Sequence, residues 1–350
     1  MKFLRLAFYV LIAQLVLSGC AGEAVEETSS SSSSEINFDA YLGTNASTRV
    51  GETNLASLKE TSGFSVFARH THANGAISDM MDNEHVTWRG NHWGYDHIRF
   101  WPSSGKVDFY AFAPYSEQVK MGGLPDSLVN QADSNSPNTY IDFPSNWSPI
   151  DLIWSKQPDQ TAPTSPDSKV TFQFKHALAR LSFDITANPK IEEKDVVIKV
   201  KEVRLYGAEE HKGIFRMAGY LNLKTGDWVP YNNKFSWFYT WTPDGKVDGK
   251  DESQEEQQKK GPIYKLSAPP QLDHTNDKIT NADDSYIFII PQTKTEPFHL
   301  AITYTVQQGD FKETVTVKKN LLDVLDKSGA PNPSFTFEKG NLLSIYSFSF

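Results

Sequence analysis

Five histidines, His70, His72, His85, His92 and His97, fall within 28 residues. Such density invites a zinc reading, because neutral imidazole ligates that ion well. The spacing does not deliver it. Metal sites draw their ligands from positions that one element presents together, and these five are spread over at least two extended segments and their turns. Only His70 and His72, two apart, share a strand face, and spacing fixes neither a carboxylate nor a third ligand. Surface histidines on a wide hairpin are the competing reading, and no metal ligand is assigned. A calcium loop is suggested by "DGKVDGKDESQE" from Asp244, with Asp248 fifth, Gly249 sixth and Glu255 twelfth. Lys246 takes the third position, where an acceptor oxygen is required, which leaves a charged exposed loop. Trp88, Trp93 and Trp101, and later Trp237, Phe238, Tyr239 and Trp241, are the right residue types to stack on the apolar face of a pyranose. Aromatics at alternate strand positions equally make core and cross-strand pairs. No catalytic constellation is present: there is no G-x-S-x-G, no H-E-x-x-H and no phosphate-cradling glycine loop. No spacing pairs two carboxylates for acid/base work. The expectation is a protein that is not an enzyme and uses no cofactor.

The one cysteine carries a different chemistry. Lys2 and Arg5 form a short positive region, "LAFYVLIAQLVL" an apolar run of about twelve residues, and Leu17-Ser18-Gly19-Cys20 closes it with small residues before the thiol. This is the pattern of an export signal ending in the lipobox of bacterial lipoproteins. A spanning helix needs about twenty apolar residues, and no later stretch approaches that. Residues 1–19 are therefore read as a lipoprotein signal peptide and Cys20 as the lipidation site, carrying a diacylglycerol and palmitate. An exported lone thiol elsewhere would be a liability. Residues 20–35, with six consecutive serines, form a polar flexible tether. The expected location is a membrane surface, through lipid on Cys20.

The formal charge of −9 falls to −11 once Lys2 and Arg5 are lost. With no basic block and no Arg/Lys stripe among aromatics, nucleic acid is not an expected partner. The 331 residues that remain suffice for two domains. Without disulfides the cores must hold the fold, and 39% hydrophobic with 13% aromatic residues can build them.

These residues must be positioned by strands. From residue 64 onward the dominant signal has period two: "FSVFAR", "KVDFYAFAPY", "VTFQFKHALARLSFDI", "VVIKVKEVRLYG", "YIFIIPQ", "FHLAITYTV" and "NLLSIYSFSF" are β-branched and aromatic runs bounded by turn residues. Such a series predicts an all-β protein of sandwich type. Helical signal is confined to "HALARL" and "KKNLLDVLDK", each long enough for a turn or two. The polar tract 242–262 reads as a long solvated hairpin loop. The tract 186–195 suggests a division near 190, into an N-terminal domain 36–190 and a C-terminal domain 191–350.

One strand stands apart, at the end of the serine tether. In Glu35–Leu42 the apolar Ile36, Phe38, Ala40 and Leu42 alternate with Asn37, Asp39 and Tyr41, the pattern of a half-buried strand. It is followed by "GTNASTRVGET", small and polar residues around Arg49 that disfavour regular structure and suit proteolytic access. At the other end Leu342, Tyr346, Phe348 and Phe350 lie at even spacings. Both terminal strands either complete their own sheets or serve exchange with another chain.

Taken in order, the "LSGC" lipobox, the early strand followed by "ASTRV", "FSVFAR", "FWPSSGKVDFYAFAPY", "DLIW", "FKHALARLSFDI", "FIIPQ" and "FEKGNLLSIYSFSF" resemble the fimbrillin family of Bacteroidetes, the type V pilus subunits and their Mfa-like relatives. The resemblance spans nearly the whole chain. It implies two transthyretin-like β-sandwich domains of Greek-key type in tandem, on a lipoprotein precursor. It implies cleavage after an Arg or Lys, best matched by Arg49 before Val50, that releases residues 36–49 and leaves a groove for another subunit's strand. The terminal strand, 342–350, is the candidate donor. The partners implied are other pilin subunits, with a host or bacterial surface ligand, glycan or protein, as the adhesive target. A surface glycan-binding lipoprotein and an unprocessed anchor or tip subunit are the alternatives.

Overall fold

A computed structural model describes residues 34–43, 53–135, 137–143, 150–165, 167–186, 196–209, 215–216, 218–231, 236–246, 263–266, 271–272, 278–280, 287–326, 328–329 and 332–349. Its first half contains β1 (Phe38–Leu42), a helix at Leu55–Glu60, β2 (Phe64–Thr71), β3 (Ile77–Trp88), β4 (Trp93–Gly94), β5 (Lys106–Ala113), β6 (Met121–Gly122), β7 (Tyr140–Phe143), β8 (Ile153–Gln160) and β9 (Val170–His176). The second half runs through β10 (Ala179–Thr186), β11 (Val197–Tyr206), β12 (Phe215–Arg216), β13 (Gly219–Asn222), β14 (Trp228–Pro230), β15 (Ser236–Trp237), β16 (Tyr239–Thr242) and β17 (Ile263–Lys265). It continues with β18 (Gln271–Leu272), β19 (Lys278–Thr280), β20 (Ile287–Ile289), β21 (Gln292–Lys294), β22 (His299–Gln308), β23 (Phe311–Asn320), a helix at Leu321–Leu325, β24 (Phe335–Phe337) and β25 (Leu342–Ser349). The protein is all-β apart from these short helices.

In the first half the pairing order β1-β4-β3-β2-β5-β8-β9 returns to β1 and closes a barrel. Period two decides what fills it. Phe64, Val66 and Ala68 of β2, Val107, Phe109 and Ala111 of β5, and Phe172 and Phe174 of β9 all share one buried cluster. The opposite face of the same strands is also covered: Phe67, Tyr110, Phe112 and Trp154 form a second cluster with Ala177, Leu178, Leu221, Phe288 and Ile290. Two buried faces explain why Val66, Phe67 and Ala68 follow one another as consecutive apolar residues.

The second half places β11, β16, β22 and β23 in one sheet, while β10 pairs with β19, β20 and β25. Leu181, Phe183 and Ile185 of β10 meet Val203, Leu205, Trp241 and Ile302 in a third cluster. This core begins at Ala179, ahead of the expected division at 190, because Ala179, Leu181, Phe183 and Ile185 keep strict period two. The halves are also tied by a small sheet, β14-β13-β7-β6, in which Gly219–Asn222 pair with Tyr140–Phe143.

Two local expectations are corrected. "HALARL" makes no helical turn; its second part opens β10, since tertiary burial overrides the propensity of Ala, Leu and Arg. The strands that flank the tract 242–262 do not form an antiparallel hairpin: β16 and β17 run parallel, Thr240 opposite Ile263, and residues 247–262 lie outside the described residues. The short helix expected in "KKNLLDVLDK" is present at Leu321–Leu325, capped by Asn320 Oδ1 accepting from Leu322 N–H.

Candidate functional site

The barrel is closed by its first strand. β1 lies parallel to β9 with five facing pairs, from Phe38 opposite Val170 to Leu42 opposite Phe174. On its other edge the hold is confined to its beginning. Phe38 faces Trp93, Glu35 bridges Phe100, Ile36 N–H donates to Arg99 O at 2.9 Å, and Trp101 N–H donates to Ser34 O at 3.0 Å. Beyond Phe38 no strand pairs with that edge among the described residues.

The inward face carries the packing. Ile36, Phe38 and Ala40 are buried, Leu42 is half-buried, and Tyr41 points out with 48% of its surface exposed. The Phe38 ring lies 5.3 Å from Tyr95, 5.6 Å from Phe172 and 5.9 Å from Phe109, centroid to centroid. Burying Ile36 and Phe38 stabilises the docked strand by roughly 1.5–3 kcal/mol each. Tyr95 adds a polar anchor: its hydroxyl donates to Ile36 O at 2.8 Å and accepts from Arg99 N–H at 3.1 Å. Burial pushes this phenol up to about 12, against the opposing pull of the Arg99 hydrogen bond. It therefore stays a donor at physiological pH.

Downstream the chain is fixed separately. Thr53 N–H donates to Asp151 Oδ2 at 2.9 Å, and Asp151 also meets His176 Nδ1 at 3.0 Å. That hydrogen bond, first of the causes and opposed by burial, raises the His176 pKa above its usual 6.5. Asn54 then caps the Leu55–Glu60 helix in a reciprocal pair with Ser57, and Leu58 plugs it into the barrel. The chain from Thr53 onward thus has an anchor on Asp151 in addition to the packing of Leu58 in the cluster it shares with β1. Arg49 and Val50 themselves lie outside the described residues, as do Cys20, the signal segment and Phe350.

The C-terminal strand docks in the same manner. β25 runs parallel to β10 from Leu342 opposite Arg180 to Ser349 opposite Thr186. A register shift between Asp184 and Ile185 passes over Ser347, so the even spacing of Leu342, Tyr346 and Phe348 is not carried by one unbroken ladder. No strand pairs with its outer edge among the described residues. β9 and β10 are separated only by Ala177 and Leu178, so the first and last strands lie on consecutive segments of the chain, each in parallel.

The other candidates are put to structural use. His70 bonds Ser104 O, His72 bonds Ser78 Oγ, His85 stacks on Tyr115, and His97 meets Glu84. Among the described residues no three His, Cys, Asp or Glu side chains gather to hold a metal ion. Trp93, Trp101, Phe238, Tyr239 and Trp241 are buried, and Trp88 lies under Lys59, which sits 3.9 Å from its ring centroid. Trp93, Trp101, Phe238, Tyr239 and Trp241 are core, not stacking platforms, Trp88 is half-buried against that core, and the side chain of Trp237 lies outside the described residues. Asp244 Oδ1 accepts from Lys246 N–H at 3.0 Å, a local turn where a calcium loop would begin, and residues 247–262 lie outside the described residues. Sequence reasoning missed Tyr95 and Asp151, because their partners, Ile36 and Thr53, lie 59 and 98 residues away.

The family described as fimbrillin-like matches residues 48–345. A curated relative, fimbrium subunit Fim1C of Phocaeicola vulgatus, is 31% identical over 196 residues, which are 52% of this chain and 51% of that protein. The chain thus spans about half the length of the curated relative it matches. Among solved structures, a fimbrial protein from Bacteroides vulgatus shares the fold with a TM-score of 0.54 at 20% identity, over 89% of this chain and 95% of that one.

Proposed function

The chain belongs to the fimbrillin-like family, and from that membership we propose that it is a structural and adhesive subunit of a cell-surface fimbria. It is exported as a lipoprotein precursor held to the outer membrane through Cys20, cut between Arg49 and Val50, and assembled by strand exchange with other subunits. The relative named a fimbrium subunit supports the role. The observation that carries the exchange step is β1 itself, which closes a barrel with an apolar face of Ile36, Phe38 and Ala40 and is held along most of its length by β9 alone.

Losing β1 exposes two things together: the unpaired N–H and C=O groups of β9, and an apolar slot lined by Phe109 and Phe172. A strand from another subunit satisfies both. The anchor at Thr53 and Asp151 leaves the new N-terminus tied down after cleavage. The donor is the terminal strand around Leu342, Tyr346, Phe348 and Phe350. It already pairs in parallel with β10, the orientation that β9 accepts. In this reading each half is a transthyretin-like sandwich, the first receiving a strand and the second giving one.

A trypsin-like protease applied to the purified precursor tests the proposal. The expected product begins at Val50 and forms ladders that survive mild denaturant, while Arg49→Ala leaves the precursor intact and without such ladders. A product that begins at Val50 but stays monomeric refutes exchange.

A further inference from the structure

A long open strand edge lies in the sheet of the second half, away from β1. β23 is the last strand of its sheet, ten residues long, exposed along nearly its whole length, and no strand pairs with its outer edge among the described residues. A row of unpaired backbone groups of that length is a template for another strand.

The turn before it says which groups face outward. Gln308 and Phe311 oppose each other across the two-residue loop Gly309–Asp310, with Gly309 at φ +58. That places glycine at the one position where a type II′ turn needs a positive φ. In a two-residue hairpin the flanking pair exchanges both hydrogen bonds. Phe311 and the odd-numbered residues after it therefore bond to β22, while Lys312, Thr314, Thr316, Lys318 and Asn320 present N–H and C=O outward.

The side chains of the odd positions continue an apolar face. Val315 and Val317 stand opposite Tyr304 and Ile302 of β22, both buried, yet Val317 is 40% exposed, with no strand beyond it in the sheet among the described residues. Glu313 and Lys319 flank the two valines. We propose that β23 pairs antiparallel with β23 of a second copy of this chain, about a two-fold axis through Thr316.

The choice of occupant follows from the strand's complementarity to itself. An axis at Thr316 keeps the outward residues opposite one another, as hydrogen bonding requires. It sets Glu313 against the second copy's Lys319 twice, and Val315 against Val317 twice, closing one apolar patch between two ion pairs. Lys312 then faces Asn320 and Lys318 faces Thr314, so no like charges meet. Moving the axis to Val315 sets Lys312 against Lys318 and Glu313 against Val317, and charge rejects that register. The contact is separate from the slot vacated by β1, since β23 belongs to the sheet of the second half.

Sedimentation velocity of the uncleaved chain carrying Cys20→Ser tests this, with strand exchange held off by keeping residues 34–43 in place. A concentration-dependent dimer is expected. Glu313→Lys alone and Lys319→Glu alone each place two like-charged pairs in the contact and raise Kd by about tenfold or more. An equimolar mixture of the two variants restores the dimer as a heterodimer, because lysines 313 and 319 of one copy then face glutamates 319 and 313 of the other. Thr316→Cys forms an intermolecular disulfide on oxidation, since facing hydrogen-bonded residues sit about 5.5 Å apart at Cα. A chain that stays monomeric up to about 0.1 mM overturns the proposal. So does a dimer indifferent to both charge reversals, or a mixture that fails to recover it.

Discussion

Replacing Phe38 with alanine in the uncleaved protein perturbs the centre of the docked strand without touching its ladder. Phe38 is 1% exposed, with Tyr95, Phe109 and Phe172 all within 5.9 Å of its ring, so truncation leaves a cavity that three large aromatics cannot fill without moving. Phe→Ala changes at such sites cost about 3–5 kcal/mol. If the strand can leave while the rest of the barrel stays folded, this loss appears mainly as easier release of β1. A 3 kcal/mol change shifts that equilibrium by about a hundredfold. Hydrogen exchange read on Val170, Phe172 and Phe174 within residues 170–174 reports the release, because Val170 N–H donates to Asn37 O, every second amide of β9 points the same way, and among the described residues this stretch pairs in a strand ladder only with β1, while β8 meets only Lys175 and His176. The expected result is about a hundredfold faster exchange there, with little change in β2 and β5. Tyr41→Ala, on the exposed side of the same strand, is the control and leaves exchange unchanged. The reasoning is refuted if Phe38→Ala leaves residues 170–174 protected, or if Tyr41→Ala loosens them as much.

Tyr95→Phe removes the hydroxyl that holds Ile36 O and is expected to cost about 1–3 kcal/mol in urea unfolding of the uncleaved chain. It should cost less once β1 has been cleaved and removed, when only the bond with Arg99 remains to be lost, and an equal loss in both forms contradicts the assignment. His176→Asn tests the clamp on Asp151. Because the folded pKa of His176 is raised, its contribution is fully present below its usual 6.5 and is lost as pH rises through the folded value. The Tm difference between wild type and variant should therefore be largest below pH 6.5 and shrink toward alkaline pH, and a difference that grows with pH refutes the pairing. Gly226→Ala forces a Cβ to within 2.0 Å of Trp154 Cζ2 at φ +75, in the cluster that joins the two halves. A loss of about 2–4 kcal/mol is expected, and a neutral result by thermal unfolding counts against that junction as a packed core.

The strand at Ile36–Leu42 was legible because one face meets a core and the other meets solvent, so alternation survives in the sequence. The all-β class was legible for the same reason across "VTFQFKH", whose residues alternate between buried and exposed. What hid the junction between the halves is that β2 and β5 are buried on both faces, where Phe67 and Phe112 look like any other core residue. Parallel pairing was also hidden. Nothing in "EINFDAYL" distinguishes a partner that runs the same way, and the polar tract after Thr242 resembles a hairpin loop whichever direction Ile263 takes. The histidines gather in sequence more than in space: His70 and His72 do come together, with ring centroids 4.0 Å apart, but His85 and His97 turn to Tyr115 and Glu84, and among the described residues no third ligand joins the pair. Tyr95, the polar anchor of the candidate site, left no mark beyond being one more aromatic, since its partner is a backbone carbonyl 59 residues away.

The central claim is that β1 is a replaceable strand, and hydrogen exchange at residues 170–174 tests it in three samples: the uncleaved precursor, the freshly cleaved monomer from which residues up to 49 have been removed, and the assembled product. The account predicts protection, then its loss, then its return on assembly. Protection unchanged by cleavage, or absent from the assembled product, would contradict it.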